Sequence, residues 1–222
     1  DIIARHKEEY GYLVGVDEVL MGFFRLGRLF THSGTPISPD LITIAKVLSD
    51  GTFPMGAALV SEEVYQKASA RCPDAVRYYE QLYINQTGAH IGLHCLKKIL
   101  EPDIEHRAKR LGAILQKGLE DICRDSPFLK KIEGGGLSYR LHYTYDHPNL
   151  PIAMLFWCFT CLKQADTFLF FDRLGPPAFT LTEEDAHEIL RNLRRVFCEG
   201  TLTTFGRFLW YVIKVLLTSF LR

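Results

Sequence analysis

The chain has no net charge to offer, with 26 Lys and Arg set against 26 Asp and Glu over 222 residues. No basic run breaks that balance, so the sequence lacks both the diffuse field and the cationic stripe that collect nucleic acid. Cysteine is sparse. The six thiols (Cys72, Cys95, Cys123, Cys158, Cys161, Cys198) are too few and too scattered for a disulfide scaffold and read as reduced side chains of a cytosolic protein. Residues Asp1 to Lys7 have neither an initiator Met nor the basic-then-apolar order of a signal peptide. The chain reads as entered partway along an amphipathic helix, with further sequence expected ahead of it. Internal repeats and low-complexity segments are both absent.

What the sequence does have is apolar residues, 47% of the total, enough for a proper core in one large domain or two small ones. Residues 1 to 10 predict the end of a helix. Tyr12 to Val16 is a short unbroken apolar run of the kind that forms a parallel strand buried on both faces. Asp17 and Glu18 follow at its C-terminal edge, where open α/β sheets bind ligands. Met21 to Pro39, rich in Gly, aromatic and turn residues, predicts a loop. Leu41 to Ala45 predicts a second strand ending at Lys46, and Ala57 to Val60 a third after a turn at Ser49-Asp50-Gly51. Ser61-Glu62-Glu63 has the cap and acidic first turn of a helix start. Two helices are expected between Gly88 and Arg124, broken at Glu101-Pro102-Asp103, the second burying Leu111, Leu115, Leu119 and Ile122. Gly134-Gly135-Gly136 introduces the alternation Leu137, Tyr139, Leu141, Tyr143 of a strand. A helix near Pro151, a strand at Thr167 to Phe171 and a late helix opened by Thr182 to Asp185 complete the chain. The change in character between the first third and the rest places a boundary near residues 90 to 100.

Two blocks carry chemistry. The string Val16-Asp17-Glu18-Val19-Leu20-Met21-Gly22-Phe23-Phe24-Arg25-Leu26-Gly27 resembles the D-E-V-x-x-G-F-x-R-x-G block of the class III aminotransferases. Pro39-Asp40-Leu41-Ile42-Thr43-Ile44-Ala45-Lys46 resembles the family's block ending in its Schiff-base lysine, followed by Gly51, Pro54, Gly56 and Ala57. Farther on, Gly134-Gly135-Gly136-Leu137 is similar to a family strand start, and Arg173-Leu174-Gly175-Pro176-Pro177 to the R-x-x-P-P before its last helix. Taken alone, Asp17 reads as a helix cap and Lys46 as a solvated residue closing a strand. The flanking blocks reverse that reading.

The resemblance implies the C-terminal half of a pyridoxal-phosphate enzyme of fold type I. Its α/β fold has residues 1–95 as part of a mostly parallel, helix-flanked sheet, residues 96–200 as a smaller α+β domain, and residues 201–222 as an apolar helix. It implies Lys46 as the catalytic lysine that also carries the cofactor, Asp17 beside the pyridine nitrogen, and Val19 against the ring. Asn85 or Thr87 is implied at the cofactor phosphate, and Arg173 at a substrate carboxylate or bracing the site. A carboxylate beside the pyridine nitrogen favours its protonated form, which draws electrons from the reacting carbon. A freed lysine amine can then move the proton. The implied reaction moves an amino group from an amine or amino acid to a keto acid or aldehyde, in a homodimer whose sites lie between subunits.

The departures shape the rest. Leu20 stands where the family uses Gln near the ring's phenolic oxygen, and the family's phosphate-cradling loop and ring-stacking aromatic belong to an expected preceding half. Glu18 reads as structural. Cys158-Phe159-Thr160-Cys161 has metal or redox spacing, but no second Cys or His pair answers it, and a buried thiol pair with no metal is expected. From Phe205 to Arg222 the chain is strongly apolar, with Arg207, Tyr211, Lys214, Thr218 and Arg222 at helical spacing on one narrow face. A central Lys disfavours a spanning helix and suits an interfacial one, or a helix packed on a partner. A second class of function follows, a catalytically silent relative serving dimerisation or membrane attachment.

Overall fold

The computed structural model describes residues 2–82, 85–143, 173–176 and 180–199, together with positions 206, 209, 210, 213, 214 and 217. The helix expected near Pro151, the strand at Thr167 to Phe171 and the Cys158–Cys161 pair lie outside these residues. Two compact units divide the chain, Asp1–Glu105 and His106–Arg222.

In the first unit, helix α1 (Ile2–Tyr10) leads through Gly11, at φ 68°, toward strand β1 (Gly15–Asp17). Strand β2 (Leu41–Ala45) runs parallel to β1, with Gly15, Val16 and Asp17 opposite Leu41, Ile42 and Thr43. The connection Glu18 to Asp40 is long enough for the crossover that a parallel pair requires. The link from β2 to β3 (Gly56–Val60), a short 3-10 turn at Lys46–Ser49 and a loop, is too short for one, and β3 pairs antiparallel with β2. The expectation of a mostly parallel sheet therefore holds for the first pairing and not for the second. Asp50 (φ 50°) and Gly51 (φ 69°) make the expected turn.

The sheet corrects a second expectation. Gly15 and Asp17 are exposed, Val16 is half-buried, and β3 is exposed along its whole length. Burial on both faces needs a layer on each, and of the residues in these three strands Ile44 alone is buried. Helix α2 (Glu62–Arg71) starts at the Ser61 cap, as expected. Helix α3 (Pro73–Leu82), which the sequence pattern did not predict, opens with Pro in its first turn, where a missing N–H costs nothing. Neither α2 nor α3 buries a residue. Helix α4 (Gln86–Ile99) lies over the turn after β2. A side chain at Gly88 or Gly92 would press on Phe53 at 3.2 Å or on Met55 at 3.0 Å.

Helix α5 (Pro102–Asp125) crosses into the second unit, and Leu111, Leu115, Leu119 and Ile122 form its buried stripe as their spacing requires. Strands β4 (Leu129–Gly135) and β5 (Ser138–Tyr143) form an antiparallel hairpin, and β6 (Arg173–Leu174) pairs with β5. Leu137, Tyr139, Leu141 and Tyr143 all face the core. Gly112 admits the hairpin turn, since a Cβ there would stand 2.8 Å from Gly136 Cα. The Tyr139 hydroxyl donates to the Gly112 carbonyl at 3.1 Å, and burial pushes its pKa up to about 12. Helix α6 (Glu183–Arg194) opens with a capping box in which Asp185 N–H donates to Thr182 Oγ1 and Thr182 N–H to Asp185 Oδ2. A wider turn at Arg195–Glu199 buries Val196 and Phe197.

Candidate active site

Because β1 and β2 are parallel, their last residues, Asp17 and Ala45, end at one edge of the sheet, and Lys46 follows directly. Both Asp17 and Lys46 are exposed. Lys46 leaves the strand at φ 52°, a left-handed backbone that non-glycine residues adopt at a cost and that recurs at functional sites. Asp17 is held by its neighbours: its Oδ1 accepts the Val19 N–H at 2.9 Å and the Thr43 hydroxyl at 3.2 Å. Thr43 is the residue that sequence reasoning passed over. Its signal was cross-strand register, which places it opposite Asp17 once the parallel pairing is known.

Glu18 is structural, as its position suggested. It is 1% exposed, and its Oε1 accepts from the Thr31 N–H at 2.7 Å, from the Thr31 hydroxyl at 2.6 Å and from His32 Nδ1 at 3.2 Å. These bonds pin the loop after β1, where Phe30 stacks on His32 with ring centroids 5.6 Å apart. Gly22 turns against the same residue, a Cβ there meeting the Glu18 backbone carbonyl oxygen at 2.8 Å. Phe23 and Phe24 follow at φ 58° and 64°, both buried. Arg25 is partly buried, and desolvation lowers its pKa. Leu20, in the place of the family's Gln, is exposed and apolar.

Asp40 fixes the two strands from their other end. Its carboxylate accepts the Val14 N–H at 2.8 Å and pairs with Lys7 at 2.6 Å, and its backbone bonds to Val14 and Ser61. The Lys7 bond first, and then the Val14 N–H, hold its pKa below the usual carboxylate value.

The remaining candidates stand on other elements. Asn85 caps α4, its Oδ1 accepting the Gly88 N–H at 2.9 Å, and Thr87 is exposed in that helix's first turn. Arg173 stands exposed on β6 of the second unit, opposite Arg140 in register. The Asp17 carboxylate and the Lys46 amine at one sheet edge fit a protonated ring nitrogen and a carbonyl of a bound cofactor. The cap uses Asn85 Oδ1 and not its amide N–H donors, so both Asn85 and Thr87 remain candidates for the phosphate.

Comparison with known proteins identifies the family. The class-III aminotransferase family matches residues 3–197. Gamma aminobutyrate transaminase 2 of Solanum lycopersicum is 32% identical over 194 residues, covering 82% of this chain and 42% of that protein. Acetylornithine aminotransferase of Mesorhizobium japonicum is 28% identical, covering 84% of this chain and 45% of its own. Among solved structures, an S-selective transaminase from Arthrobacter sp. superimposes with a TM-score of 0.74 at 20% identity, over 87% of this chain and 45% of that one. N-acetylornithine aminotransferase from Stenotrophomonas maltophilia gives 0.68 at 23% identity, over 87% and 49%. At such identities the likeness to the solved structures is one of fold, and the chain spans about half the length of the curated relatives it matches. On the match of residues 3–197, this chain belongs to the class-III aminotransferases.

Proposed function

We propose that this chain contributes the lysine-bearing part of a pyridoxal-phosphate-dependent transaminase that moves an amino group from an amine or amino acid to a keto acid or aldehyde. The observation that carries the reading is the shared sheet edge of Asp17 and Lys46, with Asp17 oriented by Thr43 and Val19. When bound, pyridoxal phosphate supplies an electron-accepting ring that stabilises negative charge at the substrate carbon. Asp17 would hold the ring nitrogen in its protonated form, since a carboxylate at close range favours the cation. Lys46 would anchor the cofactor covalently and, once displaced by the substrate amine, carry the proton to and from the reacting carbon. Val19 would lie against the ring, and Thr87 or Asn85 would meet the phosphate. Arg173 would hold a substrate carboxylate through the paired N–H groups of its guanidinium. The two curated relatives are named for amino acids that carry carboxylates, in keeping with that role. A homodimer is proposed with it, supported by the exposed aromatic and apolar residues of α3.

Titrating the purified chain with pyridoxal phosphate tests this. A visible absorbance band that saturates, and that is absent from Lys46→Ala with the same circular dichroism, is the expected result. A folded chain that develops no lysine-dependent band would sink the reading and leave a silent relative as the better account.

A further inference from the structure

Glu18 lies between two residues of the site, Asp17 and Val19, yet its own side chain points away from them. Asp17 is exposed and Glu18 buried, the alternation that sends neighbours at the end of a strand to opposite faces. The Glu18 N–H donates to the Thr43 carbonyl at 2.9 Å, extending the β1–β2 ladder past Asp17. Beyond it the chain folds back on itself. Gly22 N–H donates to the Glu18 carbonyl at 3.0 Å, Phe23 N–H to the Leu29 carbonyl at 2.6 Å and Phe24 N–H to the Arg28 carbonyl at 3.0 Å, with Phe23 and Phe30 packed at 6.0 Å between ring centroids. One oxygen closes the neck of this loop. Glu18 Oε1 meets both donors of Thr31, 13 residues on, and Nδ1 of His32, 14 residues on.

A side chain needed only to fill space would be apolar, because a buried carboxylate is costly to desolvate, and the second oxygen, Oε2, has no hydrogen-bond partner here. What the carboxylate supplies is a single acceptor for three donors. The residue that follows, Val19, gives the backbone N–H that Asp17 accepts. We propose that Glu18 is a positioning residue for the cofactor site. By closing the loop on Thr31 and His32 it fixes the backbone at Val19, and through the Val19 N–H it fixes the carboxylate of Asp17. The inference rests on the reading of Asp17 and Lys46 as a pyridoxal-phosphate site. Glu18 touches no reacting atom and acts on cofactor affinity through its neighbours.

Thr31→Val tests this, since it removes one bond to Oε1, keeps a β-branched side chain and leaves Asp17, Val19 and Lys46 in place. In hydrogen exchange without cofactor, read by mass spectrometry on the full chain, the peptide containing Val19 should exchange faster than in wild type while the circular dichroism is unchanged. In the absorbance titration with pyridoxal phosphate, Thr31→Val should bind about fivefold more weakly, part of what one hydrogen bond to a charged group contributes, and Thr31→Ser should restore wild-type binding. Glu18→Gln keeps one carbonyl acceptor for the three donors and should lose less affinity than Glu18→Leu. Folded Thr31→Val that binds the cofactor as tightly as wild type, or whose Val19 peptide exchanges no faster, overturns the proposal and leaves Glu18 a role in the fold alone. A wild-type chain with no lysine-dependent band is a separate failure: it overturns the reading of the site, and this inference with it, before any variant of the loop is compared.

Discussion

Thr43 is the point at which β2 reaches across to orient the carboxylate of β1. Its hydroxyl donates to Asp17 over a separation of 26 residues, and the Val19 N–H supplies the second bond to the same oxygen. A hydrogen bond to a charged group contributes on the order of 1.5–3 kcal/mol, with exposed examples at the low end. Thr43→Val keeps the β-branched shape that suits the strand and removes only the hydroxyl. It should weaken pyridoxal-phosphate binding by about tenfold, read from the absorbance titration, while Thr43→Ser restores it; equal affinity in Thr43→Val would show that the backbone N–H of Val19 alone positions Asp17. Asp17 and Lys46 stood out as candidates in the sequence because each lies inside a block of residues that resembles the family's. Thr43 was not legible as a partner, because nothing local in Leu-Ile-Thr-Ile-Ala marks one strand residue as facing a carboxylate of another strand. Glu18 was legible as structural by position, but its three bonds to Thr31 and His32 come from the fold of the intervening loop.

Between elements, Asp40 joins α1, β1 and β2. Its carboxylate takes the Lys7 ammonium and the Val14 N–H, and Lys7 also donates to the Ser38 carbonyl at 2.7 Å. The folded pKa of Asp40 lies below its ordinary value, so its contribution to stability is fully present above the unfolded pKa of about 3.9 and is lost as the pH falls through the folded pKa. Asp40→Asn should therefore cost about 1.5–3 kcal/mol at neutral pH in urea unfolding, and the gap between variant and wild type should close on acidification below about pH 4. A gap that stays constant down to acid pH would place the loss in packing and not in charge. Element patterns were readable wherever a core marks one face: the α5 stripe and the β5 alternation fell on the residues expected. Helix α3 was not marked in the sequence, and the structure buries none of its residues. Strand β4 escaped because Lys130, Lys131 and Glu133 give it a polar face and Gly134-Gly135, which close it, read as a turn.

At the scale of the whole molecule, the distribution of apolar surface decides what the chain associates with. Tyr78 is 60% exposed, Tyr79 58% and Leu82 54%, all on α3, and the two tyrosine rings meet edge to face at 5.6 Å. A cluster of large exposed side chains on one helix is the kind of surface on which the proposed homodimer would form. This helix bears both signs, Asp74 and Glu80 with Arg77, so two copies related by a twofold axis can match charge as well as apolar area. The chain should sediment as a dimer at micromolar concentration, and Tyr78→Asp should shift it toward monomer by placing a carboxylate in the apolar contact. Sedimentation velocity on both proteins separates the possibilities. A wild-type dimer unaffected by Tyr78→Asp would move the contact off α3, and a wild-type monomer would remove the homodimer from the proposed enzyme altogether.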